Sequence, residues 1–368
     1  MHHLTDYHTW GDDISENISI IGDGCAALSF ASKIDLLPNY SLTIQTLDNA
    51  PVKKDHCWGF WKHPVLEESV ELSKYSWNKW SIVTEKENVI LESTTMPYHV
   101  LKRNDWINYC QNIAQDNGVS FVTTNSVDLD QKNTFDTRPP QVPKNALLQH
   151  FLGQTIEVEE GCFNSNTVTL MDFRVDQSKG MHFIYLIPFS ETKALIESTL
   201  FTPEKLDDAF YRDSIRTYLK KVYNVSKFKT LEEESGVIPM GKLSRHSPSI
   251  PGLGGNGGAI RPGSGYAFIF IQKQIQEAIQ RVNRNKPLQF KSPHKKVDLW
   301  MDEVLLVVLR HWPSHAPAIF SRMGKRLTGE QFARFMSGDA DWKLRLKVIF
   351  SMPKLIFARG FVKWAIKI

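Results

Sequence analysis

The chain has 368 residues, of which 42% are hydrophobic, 23% charged and 11% aromatic. That composition excludes a disordered, collagen-like or coiled-coil protein and allows a large buried core. Forty-four Lys plus Arg against 40 Asp plus Glu leave a net charge of +4, too mild by itself to point to nucleic acid.

Cys25, Cys57, Cys110 and Cys162 are spread singly, with no C-x-x-C and no metal-ligand spacing. They suggest neither a disulfide framework nor a metal site, and they suit a reducing cytoplasm. Residues 1–17 carry Asp6, Asp12, Asp13 and Glu16 and no apolar core, so no secretory signal is expected. The apolar runs fall short of the roughly 18–20 residues a spanning helix needs, and the chain is not expected to cross a membrane.

In chain order, the β-branched run at 17–21 ends at Gly22-Asp23-Gly24, and the small and apolar residues of 25–31 suit a helix packed on a sheet. Residues 41–47 alternate like a strand and stop at Asp48, so 17–48 predicts a βαβ unit. Gly22-x-Gly24-x-x-Ala27, placed after a strand and opening a helix, with Asp48 roughly 20 residues on, is the setting of a dinucleotide site. Gly22 permits the turn, Gly24 lets backbone approach a pyrophosphate at the helix N-terminus, Ala27 lets the helix pack closely, and Asp48 can accept from ribose hydroxyls. The pattern alone suits FAD or NAD. Asp23 inside the loop and Cys25 after it depart from the usual residues.

From 147 to 201 four strand-like runs (147–157, 167–174, 182–189 and 193–201) follow one another with turns and no helix between, predicting an antiparallel sheet. Helical spacing returns at 204–222. A glycine-rich loop at 252–265 then precedes an apolar segment and a helix at 272–283, and helices are expected from 297 onward. This order predicts an α/β protein in which a Rossmann-like domain (17–145 and 232–285) is interleaved with an antiparallel-sheet substrate domain (146–231). A helical C-terminal region (286–368) completes it. Flavin enzymes of the glutathione-reductase and hydroxybenzoate-hydroxylase type have this layout, which favours FAD over NAD.

Seven segments sharpen the reading: Asp55-His56-Cys57-Trp58-Gly59-Phe60-Trp61, Asp136-Thr137-Arg138-Pro139, 147–154, Met171-Asp172-Phe173-Arg174, Ile196-Glu197-Ser198-Thr199, Gly236-Val237-Ile238-Pro239 and Pro262-Gly263-Ser264-Gly265-Tyr266. In this order they resemble the bacterial lycopene β-cyclase family over nearly the whole chain. The resemblance implies reduced FAD, NADPH or NADH as electron donor, and a linear carotenoid such as lycopene as substrate. The expected reaction protonates a terminal double bond and closes a β-ionone ring with no net redox change. It assigns Gly22, Gly24 and Asp48 to the ADP half of FAD, Arg103 to the pyrophosphate side, and the 257–265 loop, with Gly257, Gly258, Pro262 and Gly265, to the isoalloxazine side. Ser264 stands where the family often has Thr.

On the strand at 193–201, Glu197 shares a face with Leu195, Thr199 and Phe201. A carboxyl among apolar neighbours has a raised pKa and makes a proton donor; the alternative is a Glu at a sheet rim. The resemblance makes Glu197 the catalytic acid, with Ser198 where the family carries a second acid. Trp58, Phe60 and Trp61 suit either cation-π stabilisation or ordinary packing. His150 and His182 are expected to be structural. After Asp341 the chain has no acid, and its basic residues interleave with aromatic and aliphatic ones, which suits either a membrane surface or a helix packed on the protein with solvated lysines. No nucleic-acid module is present, and a peripheral enzyme on the cytoplasmic side of a membrane is expected. The same fold would also serve a flavin monooxygenase or prenyl-chain reductase, or a non-catalytic carotenoid- or membrane-binding protein.

Overall fold

The computed structural model describes residues 16–48, 55–125 and 133–366. Most of the N-terminal stretch considered for a signal lies outside them, as does Lys367. The predicted βαβ unit is present as strand Glu16–Ile21, helix Cys25–Ala31 and strand Tyr40–Leu47, with Ile18 opposite Leu42 and Ile20 opposite Ile44. The strands Ser120–Thr124 and Thr134–Asp136 flank this pair in a four-stranded sheet whose pairings are all parallel. Ile18, Ile20 and Ile21 are buried, the pattern of a strand covered on both faces. The small residues Ala26, Ala27 and Ala31 bring the short helix close enough to share a core with Trp106, Cys110 and Ala114 of helix Arg103–Asp116 and with Ile271 and Ile275. Those isoleucines belong to helix Phe268–Val282, which begins four residues before the expected start because the apolar segment ahead of it is its own first turn.

A second sheet runs in the order Lys229–Met240, Leu147–Glu157, Lys193–Thr202, Met181–Pro188, Thr167–Asp172, Lys79–Val83 and Asn88–Glu92. It corrects two expectations. The sheet is mixed, because Thr167–Asp172 pairs with Lys79–Val83 in parallel. It also takes strands from 79–92 and 229–240, although 79–92 and 232–240 fall within the ranges expected for the Rossmann-like unit. The first two strands are recruited by burial: Trp80 and Ile82 share a core with Val168 and Leu170. The last carries Glu232, Glu233 and Glu234, a composition that hides a strand from any hydrophobic pattern.

Alternation gives this sheet two distinct faces. Leu152, Ile156, Ile184, Ile196 and Leu200 pack against Tyr211, Ile215 and Tyr218 of helix Asp208–Tyr223. Leu195, Phe201, Phe183 and Ile187 face the other way, into a core with Trp61, Trp80, Phe320 and Phe332. A third, antiparallel sheet of Cys57–Trp61, Tyr98–Lys102 and Tyr75–Trp77 joins the two halves. Its Phe60 and Leu101 enter the core beside the four-stranded sheet while Trp61 and Val100 enter the core on the inner face of the seven-stranded sheet.

As expected, the C-terminal region is helical: Lys296–His311, Ala316–Arg326, Gly329–Met336, Trp342–Ser351 and Lys354–Ile366. Two buried ion pairs hold the first of these helices. Arg345 grips both oxygens of Asp298 at 2.7 and 2.8 Å, and the Nε of Arg261, in the glycine-rich loop, lies 3.2 Å from Asp302. Gly263 carries no side chain where a Cβ would stand 2.6 Å from Asp302 Oδ1. Removing one partner of a buried pair strands the other charge. Arg345→Ala is therefore expected to cost about 3–5 kcal/mol in urea denaturation, and Arg345→Met with Asp298→Leu far less; a single-variant loss under about 1 kcal/mol would show that Asp298 is hydrated.

Candidate active site

The inner face of the seven-stranded sheet, the three-stranded sheet, the glycine-rich loop and the C-terminal helices enclose a cavity of about 770 Å³. Its wall runs from Cys25, beside the first glycine turn, past Glu197 to Phe361 on the last helix. Phe183, Phe201, Ile238, Phe320 and Phe332 make that wall largely apolar.

Glu197 stands on the inner face, with Leu195 and Phe201, and is 8% exposed. The hydroxyl of Thr199, two residues along on the same face, donates to Glu197 Oε1 at 2.6 Å. Loss of hydration pushes the Glu197 carboxyl up from 4.5 to about 7, with the Thr199 bond pulling weakly the other way. Tyr185 lies opposite Glu197 on the neighbouring strand, and its hydroxyl is 2.8 Å from that of Tyr98. Gly59 makes room for both: a Cβ there would lie 1.9 Å from the Tyr98 hydroxyl and 2.7 Å from that of Tyr185.

On the other side, Glu197 is paired with Gly153, and Gly153 with Glu234. A Cβ on Gly153 would sit 3.2 Å from Glu234 Cγ and 3.4 Å from Glu197 Cβ, so the missing side chain lets the two carboxyl-bearing chains approach each other. Glu234 accepts from the Cys57 N–H at 3.2 Å. Its carboxyl is pushed up to about 8, first by lost hydration and then by the charge of Glu197. Sequence reasoning missed Glu234. The available signals were Gly153 inside a strand, which marks close approach, and the acids just ahead of Gly236-Val237-Ile238-Pro239.

Ser198 points to the opposite face, where its hydroxyl is 2.9 Å from His182 Nε2. An acid at that position would not face the cavity; the second carboxyl near Glu197 comes instead from two strands away. His150 is on the helix-covered side as well, bonded to Thr202 at 2.7 Å, and burial lowers its pKa to about 4. Both histidines are structural. Trp58, Phe60 and Trp61 all line the cavity, and each also packs, Trp58 stacking on Phe268 at 4.9 Å between centroids and Trp61 meeting Tyr98 edge-on at 4.9 Å.

At the first glycine turn Gly22 has φ +95°, and a Cβ there would lie 2.6 Å from Thr137 Oγ1. Gly24 precedes the helix and faces open space. Ala27 is fully buried beneath them. Arg103 opens its helix at 9% exposure, and its charge is felt at Cys25, so it borders the turn rather than lying on the surface. Asp48 follows the second strand and is exposed.

The second glycine loop divides. Gly263, Ser264 and Gly265 line the cavity. Gly265, at φ +71°, would put a Cβ 3.1 Å from Gln149 Oε1, a buried oxygen with no hydrogen-bond partner among the described residues. Gly257 and Gly258 serve the loop instead: a Cβ on Gly257 would strike Gly252 O at 2.5 Å, and Gly258 has φ +79° beside Ser292. Pro262 is buried and absent from the cavity wall. Three of the residues expected around an isoalloxazine ring thus shape the loop, and Gly265 alone of the four meets the cavity. The open Gly24, the adjacent Arg103 and the orphaned Gln149 oxygen fit a dinucleotide lying from the turn into the cavity.

The sequence model of the family described as lycopene cyclase protein matches residues 17–359. The chain is 29% identical over 138 residues to the chloroplastic neoxanthin synthase of Solanum lycopersicum, covering 34% of this chain and 27% of that protein. It is 32% identical over 131 residues to the chloroplastic lycopene beta cyclase of Nicotiana tabacum, covering 31% and 25%. The matches span about a quarter of the length of these relatives. Among solved structures the chain is similar to a geranylgeranyl bacteriochlorophyll reductase-like protein from Thermoplasma acidophilum, with a TM-score of 0.58, 11% identity and 94% and 98% of the two chains covered. It is also similar to a flavin-dependent brominase triple mutant, with a TM-score of 0.55, 12% identity and 95% and 99% covered. At such identities the structures establish a shared fold. The family match runs from the first strand of the glycine turn into the last helix and takes in Glu197 and both glycine loops: the chain belongs to the lycopene cyclase family.

Proposed function

We propose that this protein is a lycopene β-cyclase, in which Glu197 delivers the proton that starts ring closure. The observation that carries the reading is a buried carboxyl, raised by lost hydration to about 7, facing an apolar cavity that continues to a dinucleotide-type glycine turn. In this reading the Thr199 hydroxyl holds Oε1 and leaves Oε2 to carry the proton. That proton goes to the terminal trisubstituted double bond of a linear carotenoid, and the neighbouring double bond attacks the resulting tertiary cation. Loss of one proton completes the ring, so one proton enters and one leaves. The cavity keeps water from capturing the cation, and the faces of Trp58, Phe60 and Trp61 supply negative quadrupole density. Held by Gly22, Gly24, Asp48, Arg103 and Gly265, FAD in its reduced anionic form, with NADPH or NADH as electron source, would place an electron-rich ring near the cation.

The last two helices support a peripheral membrane position. Trp342, Leu346 and Phe350 form one exposed stripe, and Leu355, Val362 and Ile366 another. The exposed Lys343, Lys347, Lys354, Arg359 and Lys363 surround them, the combination that binds anionic lipid interfaces. Phe361 is 45% exposed and also lines the cavity, so a lipid-dissolved substrate would enter there. Among the described residues no helix is long and apolar enough to cross a membrane.

In bacteria accumulating lycopene, the wild-type chain is expected to yield γ- or β-carotene by pigment chromatography. Glu197→Gln is expected to fold, bind flavin and lose at least about 100-fold in rate; undiminished cyclic product from that variant would remove Glu197 from its role. Because the acid must be protonated, turnover is expected to decline as pH rises from about 7, the reverse of an ionised-carboxylate mechanism, and initial rates from pH 5.5 to 9 distinguish the two. The triple variant Trp342→Ser, Phe350→Ser, Leu355→Ser is expected to lose at least about tenfold in flotation with anionic phospholipid vesicles, about 1.4 kcal/mol, with flavin content unchanged. Equal flotation would place the membrane contact elsewhere.

A further inference from the structure

Resting on the cyclase reading, we propose that Glu234 is a proton-relay residue that acts through Glu197, returning a proton to it across the gap at Gly153 after each transfer to substrate. The two carboxyls stand on different sides of one boundary. Glu197 lines the apolar cavity and not the polar recess behind it; Glu234 lines the recess and not the cavity. The recess is bounded by Asp55, His56, Cys57, Lys102, Thr155, Glu232, Glu233 and Glu234 and measures about 20 Å³, room for about one water. Its rim is wet: Lys102 and Glu232, ion-paired at 2.8 Å, have side chains 43% and 62% exposed.

A donor facing a largely apolar cavity is left as a carboxylate once its proton has gone to carbon, and it needs a proton returned before the next turnover. Glu234, two strands away on the same face, is the carboxyl that the register brings beside it, and the missing side chain at Gly153 keeps the space between them clear. The step balances simply. The Glu234 carboxylic acid gives its proton to the Glu197 carboxylate, directly or through one water, and regains a proton from the recess.

The groups facing the pair do not take over this role. Tyr185, Tyr98 and Tyr266 are all raised by burial, Tyr266 to about 12, and Cys57 is raised further. They stay neutral through the working range. His56 Nε2 accepts from the Trp58 indole N–H at 2.8 Å, which keeps that nitrogen unprotonated. Lys102 is paired with Glu232, and Glu233, on the opposite face, is held by Arg212. Asp55 is engaged through its Oδ1 by the backbone N–H groups of His56 and Asn104.

Two measurements on the flavin-loaded full chain test the relay. Infrared titration of the buried carboxyl bands from pH 5.5 to 9.5 is expected to show two coupled protons in the wild type. In Glu234→Gln, the remaining Glu197 band is expected to titrate about one pH unit below the wild type's last midpoint. Initial rates with lycopene are expected to fall at least about tenfold in Glu234→Gln, with the alkaline limb displaced to lower pH by the same unit and partly restored in Glu234→Asp. An unchanged Glu197 midpoint, or an unchanged rate profile in a chain that cyclises lycopene, overturns the relay. If the infrared midpoints shift as stated while the wild type makes no cyclic carotenoid, the coupled pair stands and the lycopene reading falls.

Discussion

A carboxylic acid keeps its proton at neutral pH only where its anion would be poorly solvated, and the architecture around Glu197 meets that requirement from every side. The sheet directs the side chain inward, Phe183 and Phe201 border it, and the C-terminal helices cover the cavity that an open sheet face would leave to water. The buried pairs of Arg261 with Asp302 and Arg345 with Asp298 are where that cover is fastened. Two raised carboxyls are themselves unfavourable once ionised, so the same arrangement makes the folded state less favoured as pH climbs through their folded values. The helices and the Glu197 carboxyl are thus connected energetically although they are far apart in the chain.

Much of this was legible in the sequence, and what was legible was local. The βαβ unit at 17–48 declares itself through β-branched residues, a glycine turn and small helix residues, all within one short segment. Alternation groups Glu197 with Leu195, Thr199 and Phe201 but leaves open which face is covered, since both faces of that strand are mostly apolar; the helix Asp208–Tyr223 packed on the other face decides it. The motif order pointed to the family, and the family match agrees.

What escaped was non-local. Strand Lys79–Val83 joins the seven-stranded sheet by pairing with residues almost ninety positions later, and no feature of Lys-Trp-Ser-Ile-Val marks that partner. Three adjacent acids resemble a solvated edge, which hides Glu234; alternation puts it on the face of Glu197, and the opposing Gly153 leaves room for it there. Gly257 and Gly258 share a composition with Gly263 and Gly265, yet the first two are held by the loop's own backbone and Ser292 while the others face the cavity. Glycine spacing records where the chain bends and is silent about which bend a ligand touches.

The parallel pairing of Thr167 with Lys79 and the pairing of Gly153 with Glu234 have a bearing on how the chain assembles. Such distant partners give the seven-stranded sheet a high contact order, and sheets of that kind form slowly relative to helical or hairpin structure. During synthesis the strand bearing Glu197 emerges well before residues 229–240, leaving Leu147–Glu157 as a temporary open edge. An open edge invites foreign strands. The segment that eventually covers it is studded with glutamates, and their mutual repulsion disfavours its pairing with a second copy of itself.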